Sequence, residues 1–212
     1  IILMNPPYGG AVTSGAKTNF PVEFQSSETV DLFLALVIHR LKRNGRAAII
    51  TPDGFLFGSD GAKTAIKKRL LEDFNLHTII RLPASVFAPY TSITTNILFF
   101  SSNQKTEQVW YYRVDMPEDY KHFSKTKPME LKHFDNAIAW WKNRQELLDE
   151  ETQTYKAKAF SVSELKSLGY NLDQCGYPSF EEEILSPEET IRQFHEKRNA
   201  LNAKIDERLA EI

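Results

Sequence analysis

The sequence predicts an α/β fold: a sheet of mainly parallel strands plus one antiparallel strand, followed by a helical C-terminal extension. Three observations carry this. Strand-like and helix-like segments alternate through about the first hundred residues, the pattern of βαβ units. One connection in that series is too short to cross over the sheet, so the two strands it joins run antiparallel. The final segment reads as one long helix with a narrow apolar stripe.

Taken in order, Ile1 to Met4 is the short apolar run that a buried parallel strand gives, and "ETVDLFLALVIHRLKRNG" has apolar residues at helical spacing before a Gly at the C-cap. "RAAIITPDG" is a second strand closed by a Pro-Asp-Gly turn, "AKTAIKKRLLEDF" an amphipathic helix, "LHTIIRLP" a third strand and "TTNILFFSS" a fourth. Only "ASVFAPYTSI" separates the last two, which sets their antiparallel direction. "QVWYYRV" reads as one more strand, and "KPMELKHFDNAIAWWKNRQELLDEE" as a single helix with Trp140 and Trp141 on or beside its apolar face. The last helix opens with a capping box: Ser186 as N-cap, Pro187 at the first helical position and Glu189 three residues in. Ile191, Phe194, Leu201, Ile205 and Ile212 then recur close to a seven-residue spacing.

Composition excludes several functions. The 212 residues, 42% hydrophobic and 12% aromatic, suffice for a full core. A net charge of -2 argues against a surface that grips nucleic acid everywhere, while allowing a local basic patch or a basic partner. The single cysteine, Cys175, excludes an internal disulfide and a multi-cysteine metal site, and the five histidines lack metal-ligand spacing. Gly9-Gly10 and "GSDG" lack the lysine of a phosphate loop. No stretch is apolar enough to span a bilayer, and a cytoplasmic location is expected. Without an initiator methionine or signal peptide, the chain is expected to be a piece of a longer protein.

The most informative stretch is Asn5-Pro6-Pro7-Tyr8, placed where the first strand ends. Pro6 forces Asn5 into an extended conformation, and neither proline has an N–H. The result is a rigid set of acceptors: the Asn5 side-chain carbonyl and the Pro6 backbone carbonyl can together take both hydrogens of one planar amino group. Such an amine is a poor nucleophile because its lone pair is delocalised, and two fixed acceptors localise that lone pair and steady the charge that develops on attack. Tyr8 offers a flat face for the ring bearing the amine, a contact worth roughly 1–3 kcal/mol for a nucleobase. Ligands of open α/β sheets sit at this carboxyl edge. The alternative is a stiff turn that merely closes the strand. At average residue frequencies the tetrapeptide arises by chance on the order of once in a thousand chains of this length, which favours the functional reading.

The tetrapeptide after an apolar strand resembles the catalytic motif of S-adenosylmethionine-dependent amino methyltransferases, chiefly adenine-specific DNA methyltransferases. "GRAAIITPDGFLFGSDGAKTAIKKRLLE", "LHTIIRLPASVFAPYTSITTNILFF" and the late "GYNLD" are similar, in the same order, to the modification subunit of type I restriction-modification systems. The resemblance implies a Rossmann-like sheet, here its C-terminal half, and methyl transfer to the 6-amino group of an adenine flipped out of double-stranded DNA. It implies Asn5 and Pro6 at the amine, Pro7 stiffening the motif, and Tyr8 stacked on the base. Phe87 falls where the family often has a second aromatic contact, with a core phenylalanine as the alternative. Asp53, in the Pro-Asp-Gly turn, borders the same edge. Asn96, polar within an apolar strand, needs an internal partner and is read first as structural. Phe87, Asp53 and Asn96 are the candidate substrate-binding residues. The family's glycine-rich cofactor motif precedes the tetrapeptide and has no counterpart in this sequence, so S-adenosylmethionine is expected to need the longer protein and the isolated chain to be inactive.

The resemblance further implies a specificity subunit as partner, with a restriction subunit in the complete system. The expected divisions are residues 1–102 as the second half of the catalytic domain, 103–160 as an extension with one strand and a Trp-bearing helix, and 161–212 as a helical tail for subunit assembly. An unpaired, apolar first strand would favour self-association. Lys63, Lys67, Lys68 and Arg69 are read as a solvated basic helical face in preference to a phosphate-binding one. Two other readings stay open: an amino methyltransferase acting on protein glutamine or RNA guanine, which shares the tetrapeptide, and a non-catalytic assembly module.

Overall fold

The computed structural model describes residues 1–10, 12–178 and 186–210, which separate into two compact units, Ile1–Tyr177 and Pro178–Ile212. The first unit holds β1 (Ile2–Met4), α1 (Ser14–Lys17), α2 (Thr29–Arg40), β2 (Arg46–Pro52), α3 (Asp53–Phe57), α4 (Gly61–Glu72), β3 (Asn75–Arg81), β4 (Thr95–Ser101), β5 (Gln108–Arg113), α5 (Asp135–Lys142), β6 (Leu147–Asp149), β7 (Thr154–Ser161) and α6 (Val162–Ser167). The second holds α7 (Pro187–Ala210).

The strands form one sheet in the order β1-β2-β4-β3-β5-β7-β6. β1 and β2 are parallel, as are β3 and β5, while β4 lies antiparallel between β2 and β3. The short β3–β4 connection thus sets the direction expected from its length. Because β4 reverses twice, β1, β2, β3 and β5 all point the same way and present their carboxyl ends along one edge.

Register explains the layering. Ile49, Leu98, Ile79 and Tyr111 are opposite one another across four strands and pack under Leu34 and Val37 of α2 and Ile66 and Leu70 of α4. One residue further along, Ile97, Ile80 and Tyr112 face the other side with Ala137 and Trp140 of α5. The next row, on the first face, is Thr51–Asn96–Arg81–Arg113. All four are buried despite being polar.

Two expectations need correction. The segment expected to be one helix over residues 127–151 contains a 3-10 turn at Leu131–Phe134, then α5, and then strand β6. Pro128 cannot serve inside a helix. At the other end the indole N–H of Trp140 donates to the Gln145 carbonyl at 2.9 Å, and the Arg144 guanidinium lies 4.4 Å from the Trp141 ring centroid, folding the chain back into the sheet. Lys63 and Lys67, expected in solvent, are 4% and 1% exposed. Lys63 bonds Glu28 at 2.6 Å and Asp31 at 3.1 Å, joining α4 to α2. Lys67 donates to the carbonyls of Leu56 at 2.7 Å and Gly58 at 2.6 Å, which close the C-terminal end of α3. Only Lys68 and Arg69 of that group face outwards.

The sheet runs on through residues 102 and 160, and α6 belongs to the first unit, where Leu165 and Leu172 are fully buried. The Ser186–Glu189 capping box forms, with Glu189 N–H on Ser186 Oγ at 3.2 Å and Ser186 N–H on Glu189 Oε2 at 3.4 Å. Ile191, Phe194, Leu201 and Ile205 are exposed along α7. Ile212, expected to extend that stripe, lies outside the described residues.

Candidate active site

β1 delivers Asn5 to the carboxyl edge, where Pro6 is buried and Asn5 and Pro7 are exposed. The chain escapes through Gly9, whose φ of +72 suits glycine, and Gly10, where an added Cβ would lie 2.6 Å from Thr29 Oγ1. The Thr29 hydroxyl donates to the Gly10 carbonyl at 2.6 Å, pinning the end of the motif to the start of α2. The two glycines are therefore needed for the turn and the close approach.

Within the motif, the Tyr8 hydroxyl donates to Asn5 Oδ1. Burial pushes the Tyr8 phenol up to about 12, so it is a neutral donor at physiological pH. The Phe87 ring stands with its centroid 6.1 Å from that of Tyr8 at an interplanar angle of 59°. Two aromatic faces and a side-chain amide thus meet from segments eighty residues apart in sequence. The loop carrying Phe87 is ordered by its own backbone: Ala88 N–H bonds the Ser85 carbonyl and Tyr90 N–H the Phe87 carbonyl, both at 2.9 Å.

Asp53 and Asn96 form a separate group. Asp53 Oδ1 accepts from Asn96 Nδ2 at 2.7 Å and from Arg81 Nη2 at 3.2 Å, and its own N–H reaches the Thr94 carbonyl at 3.0 Å. Asn96 thereby has the internal partner that its place in an apolar strand required. Arg81 also donates to Asp173 and, at 3.0 Å, to the Gln174 carbonyl. The late "GYNLD" segment is thus bound to the sheet through Leu172 in the core and Asp173 on Arg81. Arg113 continues the row, donating to Asp115 at 2.7 Å, Asp149 at 3.2 Å and the Gly176 carbonyl at 2.9 Å.

Sequence reasoning missed Arg81, Arg113 and Asp173 as supports of this edge. The signal was present: each arginine is the one charge in an apolar strand, in "TIIRLP" and "VWYYRV". A charge there stays buried only if partnered.

The acceptor-bearing Asn5–Tyr8 motif thus lies at the carboxyl end of β1 on a mixed α/β sheet, with the Phe87 ring beside Tyr8. A family model described as N-6 DNA Methylase matches residues 1–184, and the chain belongs to that family. It is 44% identical over 194 residues to the type I restriction enzyme EcoEI methylase subunit of Escherichia coli, covering 92% of this chain and 39% of that protein. It is 33% identical over 144 residues to the EcoKI methylase subunit of Escherichia coli strain K12, covering 63% of this chain and 26% of that protein. A solved structure described under complex assembly and conformational transition of the type I R-M system superposes with a TM-score of 0.73 at 34% identity, over 97% of this chain and 44% of that one. The chain therefore spans less than half the length of these relatives.

Proposed function

We propose that this chain forms the target-base side of an adenine-specific DNA methyltransferase of a type I restriction-modification system. The observation that carries the reading is the meeting of Asn5, Tyr8 and Phe87 at the carboxyl end of β1. An adenine flipped out of double-stranded DNA stacks on Tyr8, with Phe87 as the second aromatic contact. Its 6-amino group gives one hydrogen to Asn5 Oδ1 and one to the Pro6 carbonyl, and the lone pair is thereby localised on nitrogen, pointing away from both acceptors. Pro7 removes a competing donor and stiffens the array.

S-adenosylmethionine supplies the methyl group in this class. The assigned residues are neutral acceptors suited to an amine, and none of them is assigned to the cofactor. Asp53, Asn96 and Arg81 act as supports of the edge, since Asp53 Oδ1 accepts from both Asn96 Nδ2 and Arg81 Nη2. In the longer protein we infer a specificity subunit as partner, met by the exposed stripe of α7, and a restriction subunit in the complete system; no helix among the described residues is long and apolar enough to cross a membrane.

The test is transfer of labelled methyl groups by the full-length protein in its native complex, followed by nucleoside analysis of the product. Label in N6-methyladenine of duplex DNA is expected. Label in protein glutamine or RNA guanine, or none at all, overturns the reading.

A further inference from the structure

Beyond the pocket itself, the loop after β5 is held against the loop that carries Phe87. Phe123 is buried, and its N–H donates to Ser85 Oγ at 2.8 Å. Ser85 is two residues from Phe87, a span of at most about 7 Å. Since β3 and β5 are parallel, both loops leave the same carboxyl edge as Asn5.

The loop has an uneven charge. Residues 120–127, Tyr-Lys-His-Phe-Ser-Lys-Thr-Lys, hold three lysines and no acid in a chain whose net charge is -2. Lys121, Lys125 and Lys127 are exposed. Among the described residues none of the three has a carboxylate partner, whereas nearby Lys156 is already paired with Asp115 at 2.6 Å and Lys132 with Glu130. The tip is shaped by two reciprocal backbone bonds between Ser124 and Lys127, at 3.0 and 3.2 Å, and Lys127 Nζ lies 5.2 Å from the Tyr120 ring centroid. The acids Glu118 and Asp119 sit on the preceding turn, which Tyr120 N–H closes onto the Pro117 carbonyl at 2.9 Å.

We propose that Lys121, Lys125 and Lys127 grip the phosphate backbone of DNA beside the target base, with Phe123 fixing this grip to the loop that bears Phe87. This rests on the reading of the Asn5–Tyr8–Phe87 site as a base pocket. Flipping a base leaves its phosphates at the protein surface, and a cationic loop anchored to the pocket wall sets the register between backbone and pocket. Such contacts carry no sequence preference, which fits side chains with free ammonium heads.

The test compares DNA binding by the full-length protein in its native complex with that of Lys121→Gln/Lys125→Gln/Lys127→Gln, over a range of salt concentrations. The slope of log affinity against log salt is expected to flatten by roughly three, equally on DNA with and without the recognition sequence. The corresponding triple arginine variant should restore it. An unchanged slope overturns the proposal, and so does failure of the glutamine variant to assemble with its partner subunits, which would place the loop at a protein interface. If the wild-type complex transfers no methyl to DNA while the slope still flattens, the phosphate contacts of the three lysines stand, and the proposed function falls together with their placement beside a target base.

Discussion

The Tyr8 hydroxyl donates to Asn5 Oδ1, so the acceptor assigned to the incoming amine is engaged before any base arrives. On the proposed function, an adenine amine displaces the hydroxyl from that acceptor or shares the acceptor with it, and the ring of Tyr8 stays as the stacking face. Tyr8→Phe is therefore expected to keep methyl transfer within a few-fold of wild type, since it keeps the stacking ring and both acceptors assigned to the amine. Tyr8→Ala removes the face and should lower the rate by about 10-fold or more, in line with roughly 1–3 kcal/mol for a stacked base. Asn5→Ala should cost about 100-fold or more while DNA affinity stays within a few-fold. Single-turnover methylation and equilibrium DNA binding read the two effects separately; equal losses in the two tyrosine variants would place the hydroxyl in the chemistry.

The Arg81 cluster predicts an asymmetry in stability. The Arg81 side chain is 4% exposed, whereas Asp53 and Asp173 are 29% and 36% exposed. Removing both acids by Asp53→Ala/Asp173→Ala strands a buried guanidinium and should cost ~3–5 kcal/mol. Arg81→Met leaves two carboxylates that water can reach, and should cost less, about 1–3 kcal/mol. Denaturant unfolding of the two variants gives the order, and the reverse order would show that Arg81 is valued for its packing.

Lys67 predicts a pH dependence. Burial pushes its ammonium down to about 8, and its two hydrogen-bond partners are neutral carbonyls. An unfolded lysine titrates near about 10.4, so between these values the unfolded chain holds a proton that the folded chain has released. Stability should therefore rise with pH through this window, by roughly 1.4 kcal/mol per unit at most, and be flat below it where both states are protonated. Lys67→Met should lack this rise. Unfolding of both proteins at pH 7.5 and 9.5, taken as a difference, isolates the one group; parallel changes would exclude it.

The α7 stripe predicts an assembly defect. Ile191, Phe194, Leu201 and Ile205 are exposed on a helix that otherwise carries many charged residues. Replacing the four by serine in the full-length protein should weaken partner capture by 10-fold or more while S-adenosylmethionine affinity stays unchanged. Unchanged capture would remove the helix from the interface.

Much of this organisation was legible because it depends on local signals. The first five strands are runs of apolar residues bounded by turn residues, and the antiparallel β3–β4 pair follows from chain length alone. Asn5 to Tyr8 could be placed at the strand end because proline fixes its own backbone. What stayed hidden depends on distant partners. β7, "TYKAKAFS", has lysines where an exposed strand would have them and no run of large aliphatic residues to reveal it; pairing with β5 and β6 makes it a strand. "QELLDEE" favours a helix locally, and sheet pairing overrides it. Lys63 and Lys67 could be seen as inward-facing only once Asp31 and the end of α3 were in place.

The Thr51–Asn96–Arg81–Arg113 row also imposes an order in time. Arg81 and Asp173 are 92 residues apart, and Arg113 and Gly176 are separated by 63. At a ribosomal rate of roughly 5–20 residues per second, about 5–20 seconds separate the synthesis of Arg81 from that of Asp173, its second acid partner after Asp53. Through that interval Arg81 has Asp53 alone as its acid partner, so the cost of dehydrating its guanidinium is only partly offset. The Arg81–Arg113 end of the carboxyl edge is therefore complete only once residues 173–176 have been made, and a ribosome stalled before Asp173 would display the Asn-Pro-Pro-Tyr strand on a sheet that lacks these partners.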